Sequence, residues 1–375
     1  MILHTNGIEY DDRIRKEMLT VMKLYPDIKF KIFAIIDGDS NVTKEGVSDY
    51  GVEYCIPRLE SRTKYKQGTH LLAKAYDFYK TVTPMLKDFD ALWVANERVV
   101  FFVALSRKPI IWDWHEILLD LLGSRVKRLA LKFLLKRCKA VIHANPQRID
   151  YIKSLGGLYN EKRNFAIRNY PNFNEADKQT DEKYAEFKSW LGDANCVYLQ
   201  GAGNDDRCGI ESVRGIMAIE GLKAVVVGNF NKNMKKQLMD EFGDEFDKRL
   251  FFTGMVRQQM TPHYIRSCKA SLVLYRNTEP NNYYCEPNRM FQSIINECPV
   301  VVGCNPPMKE LVEKYHFGVV LKGDGSNVEE ISDGLKTAIT NHDQIVVDIN
   351  KNKDKIQWDS QEDEFRRIIE CTFGK

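Results

Sequence analysis

Short apolar runs alternate with longer amphipathic segments along most of this 375-residue chain. Residues 31–36, 91–95, 109–113 and 140–144 are apolar runs of strand length, and residues 69–87 show the spacing of an amphipathic helix. Uniformly apolar strands separated by helical segments predict a parallel sheet covered on both faces. A polar, charge-rich stretch over 172–189 interrupts the pattern, just after Asn169-Tyr-Pro-Asn172. A second series follows, with strands expected at 196–200, 223–227, 250–253, 270–275, 300–302 and 318–321, and helices at 209–219 and 262–267. The spacing therefore predicts an α/β protein of two Rossmann-like domains, residues 1–170 and 171–356, facing each other across a cleft. Residues 357–375 close the chain as a helix with Phe365, Ile368 and Ile369 on its apolar face. In open α/β sheets ligands gather at the carboxyl ends of the strands, which makes that cleft the expected site.

Composition narrows the class without naming an activity. Hydrophobic residues make up 43% and charged residues 29% of the chain, both globular values. A net charge of +3 is nearly balanced and gives no indication of nucleic acid. Nine cysteines are scattered from Cys55 to Cys371 without paired spacing, which fits a reducing cytosol better than a disulfide framework. Residues 1–7 are too short and polar for a signal peptide, and no apolar run reaches the ~18 residues of a membrane span. The expectation is a cytoplasmic protein whose membrane contact, if any, is peripheral. One segment departs from the balance of charge: seven of the sixteen residues 124–139 are Lys or Arg, with Leu129, Phe133 and Leu134 as an apolar stripe. Such a segment reads either as a helix resting on anionic lipid or as a core-packed helix with a solvated outer face.

The segment 284–302 carries the clearest chemistry. It reads as a loop, a helix opening at Pro287, a stop at Glu297-Cys-Pro, and a strand over 300–302. Proline suits a first helical position, and the free N–H groups of a first turn form a seat for phosphate. Arg207, after Gly203-Asn-Asp, is a candidate diphosphate clamp, because a planar fork of donors matches phosphate oxygens. Asp37-Gly-Asp39 follows an apolar run but comes after only one strand–helix unit; it reads as a turn, and no metal site is expected.

Taken together, six segments in order resemble the family 4 retaining glycosyltransferases of the GT-B fold, over nearly the whole chain. They are Tyr10-Asp-Asp-Arg-Ile-Arg-Lys16, Trp112-Asp-Trp-His-Glu116, Asn169-Tyr-Pro-Asn172, Gly201-Ala-Gly-Asn-Asp-Asp-Arg-Cys-Gly209, the Cys285-Glu-Pro-Asn-Arg289 helix start, and Trp358-Asp-Ser-Gln-Glu362. The resemblance implies a metal-independent enzyme that takes a nucleotide-diphosphate sugar as co-substrate, needs no further cofactor, and glycosylates a glycan or lipid-linked acceptor. It implies that the closing helix returns to the N-terminal domain.

The same resemblance implies roles for individual residues. His115 faces the transferred sugar, and Arg207 stabilises the departing diphosphate. Gly203, Tyr284, Cys285, Glu286, Asn288, Arg289 and Gln292 line the donor site, while Asp12, Arg13 and Glu116 stand on the acceptor side. The chain departs from the family at two places. Cys208 stands where a second basic residue is common, leaving Arg207 or Arg289 to supply the charge. Tyr284 and Gln292 stand where many relatives have glutamates, the second of which binds the ribose hydroxyls. Two other readings stay open: a non-catalytic scaffold of the same fold, and a sugar-nucleotide 2-epimerase.

Overall fold

The computed structural model describes residues 2–3, 12–34, 42–66, 68–96, 98–117, 122–157, 160–172 and 180–374. They form two compact units, one of residues 1–169 with 361–375 and one of residues 170–360. Both are parallel α/β sheets, the Rossmann-like architecture expected from the alternation.

The first unit is built on β1 (Ile2–Leu3), β2 (Lys31–Phe33), β3 (Lys44–Val47), β4 (Glu53–Ile56), β5 (Leu92–Val94), β6 (Ile110–Trp114), β7 (Ala140–His143) and β8 (Asn164–Ala166). Their order is β3-β4-β2-β1-β5-β6-β7-β8, parallel except for the β3–β4 pair at one edge. The sequence pattern anticipated four of these eight strands. Two of the other four were hidden for physical reasons: β1 has two residues, too few to show a period, and β3 is largely exposed, so it lacks an apolar run. Helix Glu362–Phe373 belongs to this unit and buries Phe365, Ile368 and Ile369 there. It sits beside helix Asp12–Leu24, with Lys23 Nζ 2.6 Å from a carboxylate oxygen of Glu362. Just before it, the Gln361 amide accepts from Arg168 N at 2.6 Å and donates to Arg168 O at 2.9 Å, substituting for a strand partner.

The second unit holds β9 (Cys196–Gln200), β10 (Lys223–Val227), β11 (Leu250–Gly254), β12 (Ala270–Val273), β13 (Val300–Val302) and β14 (Gly318–Val320), in the order β11-β10-β9-β12-β13-β14, all parallel. All six were legible as apolar runs, because both faces of each central strand are covered. The strand expected over 270–275 ends at Val273, where the chain turns into the loop that carries Tyr275. The helix expected at Pro287 starts one residue later. Pro287 is its extended N-cap (φ −77°, ψ 141°), and Asn288–Ile295 forms the helix. That helix buries Met290, Phe291, Ile294 and Ile295, with Phe291 edge-on to Tyr170 at 5.2 Å. Trp358 also belongs to this unit and donates its backbone N–H to Pro171 O at 3.1 Å, so the chain leaves the unit at Ser360.

Candidate functional site

Two charged clusters stand out, one in each unit. In the second unit, strands β9 and β12 end side by side, and the chain beyond β9 turns sharply at Gly201 (φ +60°). Two residues on, Gly203 bridges Phe230, and a β-carbon on Gly203 would lie 2.3 Å from Asn229 O. Glycine is therefore demanded here by a crossing of two backbones. Asn204 then caps a short turn by accepting from Arg207 N at 3.1 Å. The turn brings the Arg207 side chain back to Gly201, where Nη1 donates to the carbonyl at 2.7 Å.

Arg289 reaches the same place from the first turn of its helix. It is buried, with Nη1 donating to Gln200 O at 2.6 Å and Nη2 to Leu274 O at 3.1 Å. Both guanidinium groups lie against the Tyr275 ring, at 5.6 Å for Arg207 and 4.8 Å for Arg289. Neither forms an ion pair among the described residues, and Arg289 Nε has no hydrogen-bond partner. Burial is the main force lowering the Arg289 pKa, and the like charge of Arg207 acts in the same direction. Two cations held by carbonyl dipoles and an aromatic face, without a carboxylate, form a seat for an anion.

The loops around this seat are tied by residues that carry no motif signal in the sequence. Arg276 donates from its backbone to Asp206 O at 2.8 Å and from Nε to Asp205 O at 2.8 Å, and pairs with Glu211 at 2.6 Å. It fixes the turn that carries Arg207. Asn305 is fully buried and donates to Tyr275 O, Asn277 Oδ1 and Asn282 O at 3.0–3.3 Å. It anchors the loop that runs toward Tyr284, Cys285 and Glu286, which are half-buried ahead of the exposed Asn288. Gln292, one turn into the helix, is half-buried, and its side-chain amide makes no hydrogen bond among the described residues. Cys208 is buried at φ +51°, its thiol pushed up to about 12 by desolvation, so it contributes no charge to the seat.

The first unit gathers its charges at the carboxyl end of β6. Helix Asp12–Leu24 buries three charged residues, Arg13, Lys16 and Glu17, of which only Arg13 is expected at the site from sequence. Arg13 Nε and Nη2 donate to the two Asp113 carboxylate oxygens at 3.1 and 3.0 Å, and Nη1 donates to Ile167 O at 2.9 Å. The same guanidinium lies 3.1 Å from Glu17, and Lys16 pairs with Asp12 at 3.0 Å. Burial opposes ionisation of Asp113, but the Arg13 charge, aided by His115, outweighs it and holds the carboxyl below its usual range. His115 Nε2 lies 3.1 Å from Asp113 Oδ2, with a quarter of its side chain exposed. Arg148 donates to the His115 carbonyl and so holds the backbone of this histidine, while its ring lies beside Asp113. Glu116 follows it and is exposed.

On the neighbouring strand, His143 pairs in register with Trp114, and their rings are 5.4 Å apart. Its Nε2 is 2.7 Å from Asn164 Oδ1, and burial pushes its pKa down to about 4. The structure thus joins Arg13, Asp12 and His115 through Asp113, Glu17 and Lys16, and separately joins Arg207, Arg289 and Gly201 around Tyr275. No group of three metal-ligating residues occurs among the described residues, and Asp37 and Asp39 lie outside them.

No protein-family model and no curated protein matches the chain. Solved structures do. Sucrose-phosphate synthase of Thermosynechococcus elongatus is similar at a TM-score of 0.77 and 12% identity, over 100% of this chain and 99% of that one. HepE of Anabaena in complex with UDP is similar at 0.70 and 14%, over 98% and 99%. A trehalose-6-phosphate structure of E. coli bound with UDP-2-fluoro glucose is similar at 0.68 and 10%, over 97% and 99%. At these identities the likeness establishes the fold, which is GT-B.

Proposed function

We propose that this chain is a glycosyltransferase that moves a sugar from a nucleotide-diphosphate donor to a glycan or lipid-linked acceptor. The observation that carries the reading is the pair of guanidinium groups, Arg207 and Arg289, without carboxylate partners among the described residues, at the carboxyl ends of β9 and β12. A departing diphosphate is the kind of charge such a pair stabilises, and it does so without reorganising during the reaction. The UDP and UDP-2-fluoro glucose complexes of proteins with this fold support a donor of that class. Gly203, Tyr284, Cys285, Glu286, Asn288 and Gln292 complete the donor site in this reading.

His115, held by Asp113, faces the sugar. Asp12, Arg13 and Glu116 shape the acceptor side, Arg13 by fixing Asp113. Transfer proceeds with retention and without a metal or further cofactor, the leaving phosphate itself taking the acceptor proton. In this reading the protein is cytoplasmic and meets a membrane only peripherally.

Calorimetry with UDP, GDP and ADP, on the wild type and on Arg207→Ala, tests the donor site. Micromolar binding of one nucleotide, weakened at least tenfold by the substitution, supports the reading. A nucleotide-sugar panel read by mass spectrometry then identifies the donor. A second reading rests on the family resemblance: Gln292 and the buried Cys208 stand where many members of the resembling family carry an acidic and a basic group. A non-catalytic scaffold of this fold would bind none of the three nucleotides.

A further inference from the structure

Helix Arg125–Arg137 has two apolar faces instead of the single stripe expected. Leu131 and Leu134 are buried in the first unit, and Cys138 beyond the helix is buried with them. Leu129 and Phe133 do not share the buried face of Leu134, as a single stripe would require, but point the other way. They are 67% and 50% exposed, and Val126 is 77% exposed. Val126, Leu129, Ala130 and Phe133 fall at i, i+3, i+4 and i+7, the spacing of one continuous helical face. Arg137 extends that face. Its Nε and Nη2 donate to Ala104 O and Ser106 O at 3.1 and 2.6 Å, holding between them Leu105, which is 71% exposed. A core-packed helix accounts for Leu131 and Leu134 but leaves a row of four large exposed apolar side chains, far beyond an isolated surface leucine.

The charge around this row is one-sided. Across the whole chain, 55 basic residues balance 52 acidic ones, yet residues 121–149 contain eight Lys or Arg and no Asp or Glu. Lys132 and Lys136 line a cavity of about 120 Å³ together with Arg163, Asn160 and Asn164. Arg163 is set in place by donating to Lys136 O at 2.8 Å. An apolar ridge beside cationic side chains and a basic notch is complementary to a surface with anionic headgroups outside and hydrocarbon beneath. An acidic protein groove would match the charge but has no requirement for a row of side chains ending on a separate loop at Leu105.

We infer that the face formed by Val126, Leu129, Phe133 and Leu105, with Lys132, Lys136 and Arg163 beside it, docks on a bilayer rich in anionic phospholipid. The apolar side chains enter the headgroup–acyl boundary, and the cations engage phosphate groups. The inference does not depend on the sugar-transfer reading, because the face lies in the first unit and is tested without nucleotide.

The test is co-sedimentation of the full chain with vesicles of phosphatidylcholine alone and of phosphatidylcholine with 30 mol% phosphatidylglycerol. The wild type is expected to bind the anionic vesicles at least tenfold more tightly than the neutral ones, and less tightly as salt is raised. A Val126→Ser, Leu129→Ser, Phe133→Ser variant should lose at least tenfold in that binding while keeping its thermal midpoint, since all three side chains are solvent-facing. Lys132→Gln with Lys136→Gln should reduce the salt dependence. Failure of the wild type to bind anionic vesicles at low salt overturns the inference, as does equal binding by the triple-serine variant. A concentration-dependent dimer that the triple-serine variant abolishes, seen by sedimentation without lipid, overturns it in favour of a second copy on this face.

Discussion

The two charged clusters are built on opposite principles. In the first unit, the buried charges around Asp113 are matched within the fold: Arg13 serves both Asp113 and Glu17, and Lys16 serves Asp12. In the second unit, Arg207 and Arg289 meet, among the described residues, only carbonyl oxygens and the Tyr275 ring. A matched network is self-contained. Removing one member leaves its partner charged and dry, so such a network fixes geometry, here that of His115. An unmatched pair of cations is instead completed from outside, so it fixes affinity. The first cluster should therefore report on stability and the second on ligand binding.

The largest expected effect follows directly. Asp113→Ala strands the Arg13 guanidinium and should cost about 3–5 kcal/mol in urea unfolding. Arg289→Ala removes hydrogen bonds to carbonyls and relieves a like charge, so it should cost about 1–2 kcal/mol. Equal losses for the two variants would erase the distinction between the clusters.

Acid should also separate the units. His143 is pushed down to about 4 from an ordinary 6.5, so the folded first unit resists taking a proton that the unfolded chain accepts. The stability contributed by neutral His143 is complete above pH 6.5 and is lost as pH falls through 4, in total about 3 kcal/mol. Asp113, whose pKa is also depressed, adds a further loss at pH below the usual carboxylate range. Urea unfolding at pH 7 and pH 4 should show the decline, and His143→Gln, which can still meet Asn164, should flatten it. A pH-independent stability over this interval would refute the burial argument.

Ligand binding comes next in size. Arg207→Ala should raise the nucleotide dissociation constant ten- to hundredfold, the loss of one or two charge-assisted hydrogen bonds at about 1.4–2.8 kcal/mol. Its thermal midpoint without ligand should stay unchanged, and inorganic pyrophosphate should stabilise the wild type but not the variant. The smallest effect concerns Gln292. Gln292→Glu should tighten nucleoside diphosphate binding by up to tenfold, because a carboxylate accepts more strongly from a ribose diol than an amide does. No change, or weaker binding, would place the ribose elsewhere.

Much of the framework was legible because it is local. Strands such as Val300–Val302 and Lys223–Val227 are buried on both faces, and burial of that kind requires an unbroken apolar run. Strand β3 escaped because it is exposed, and β1 because two residues carry no periodicity. Arg207 and Arg289 were visible as basic residues near turns and helix starts. Their shared position around Gly201 and Tyr275 was not, since it joins chain segments 70 to 90 residues apart. Glu17 and His143 read as ordinary members of a helix or strand until the sheet order brought their neighbours beside them.

By itself the sequence determined the alternation of strands and helices, the basic character of residues 124–139, and the family resemblance of its motifs. These properties depend on residue type and short-range order. Only the tertiary structure decided which charges are matched and which are not, because Arg13 finds Asp113 one hundred residues away and Arg289 finds Gln200 across the sheet. It also decided which side of helix Arg125–Arg137 faces the core. Leu134 lies one position from Phe133 in sequence, but a helix turns about 100° between them, so one is buried and the other meets solvent.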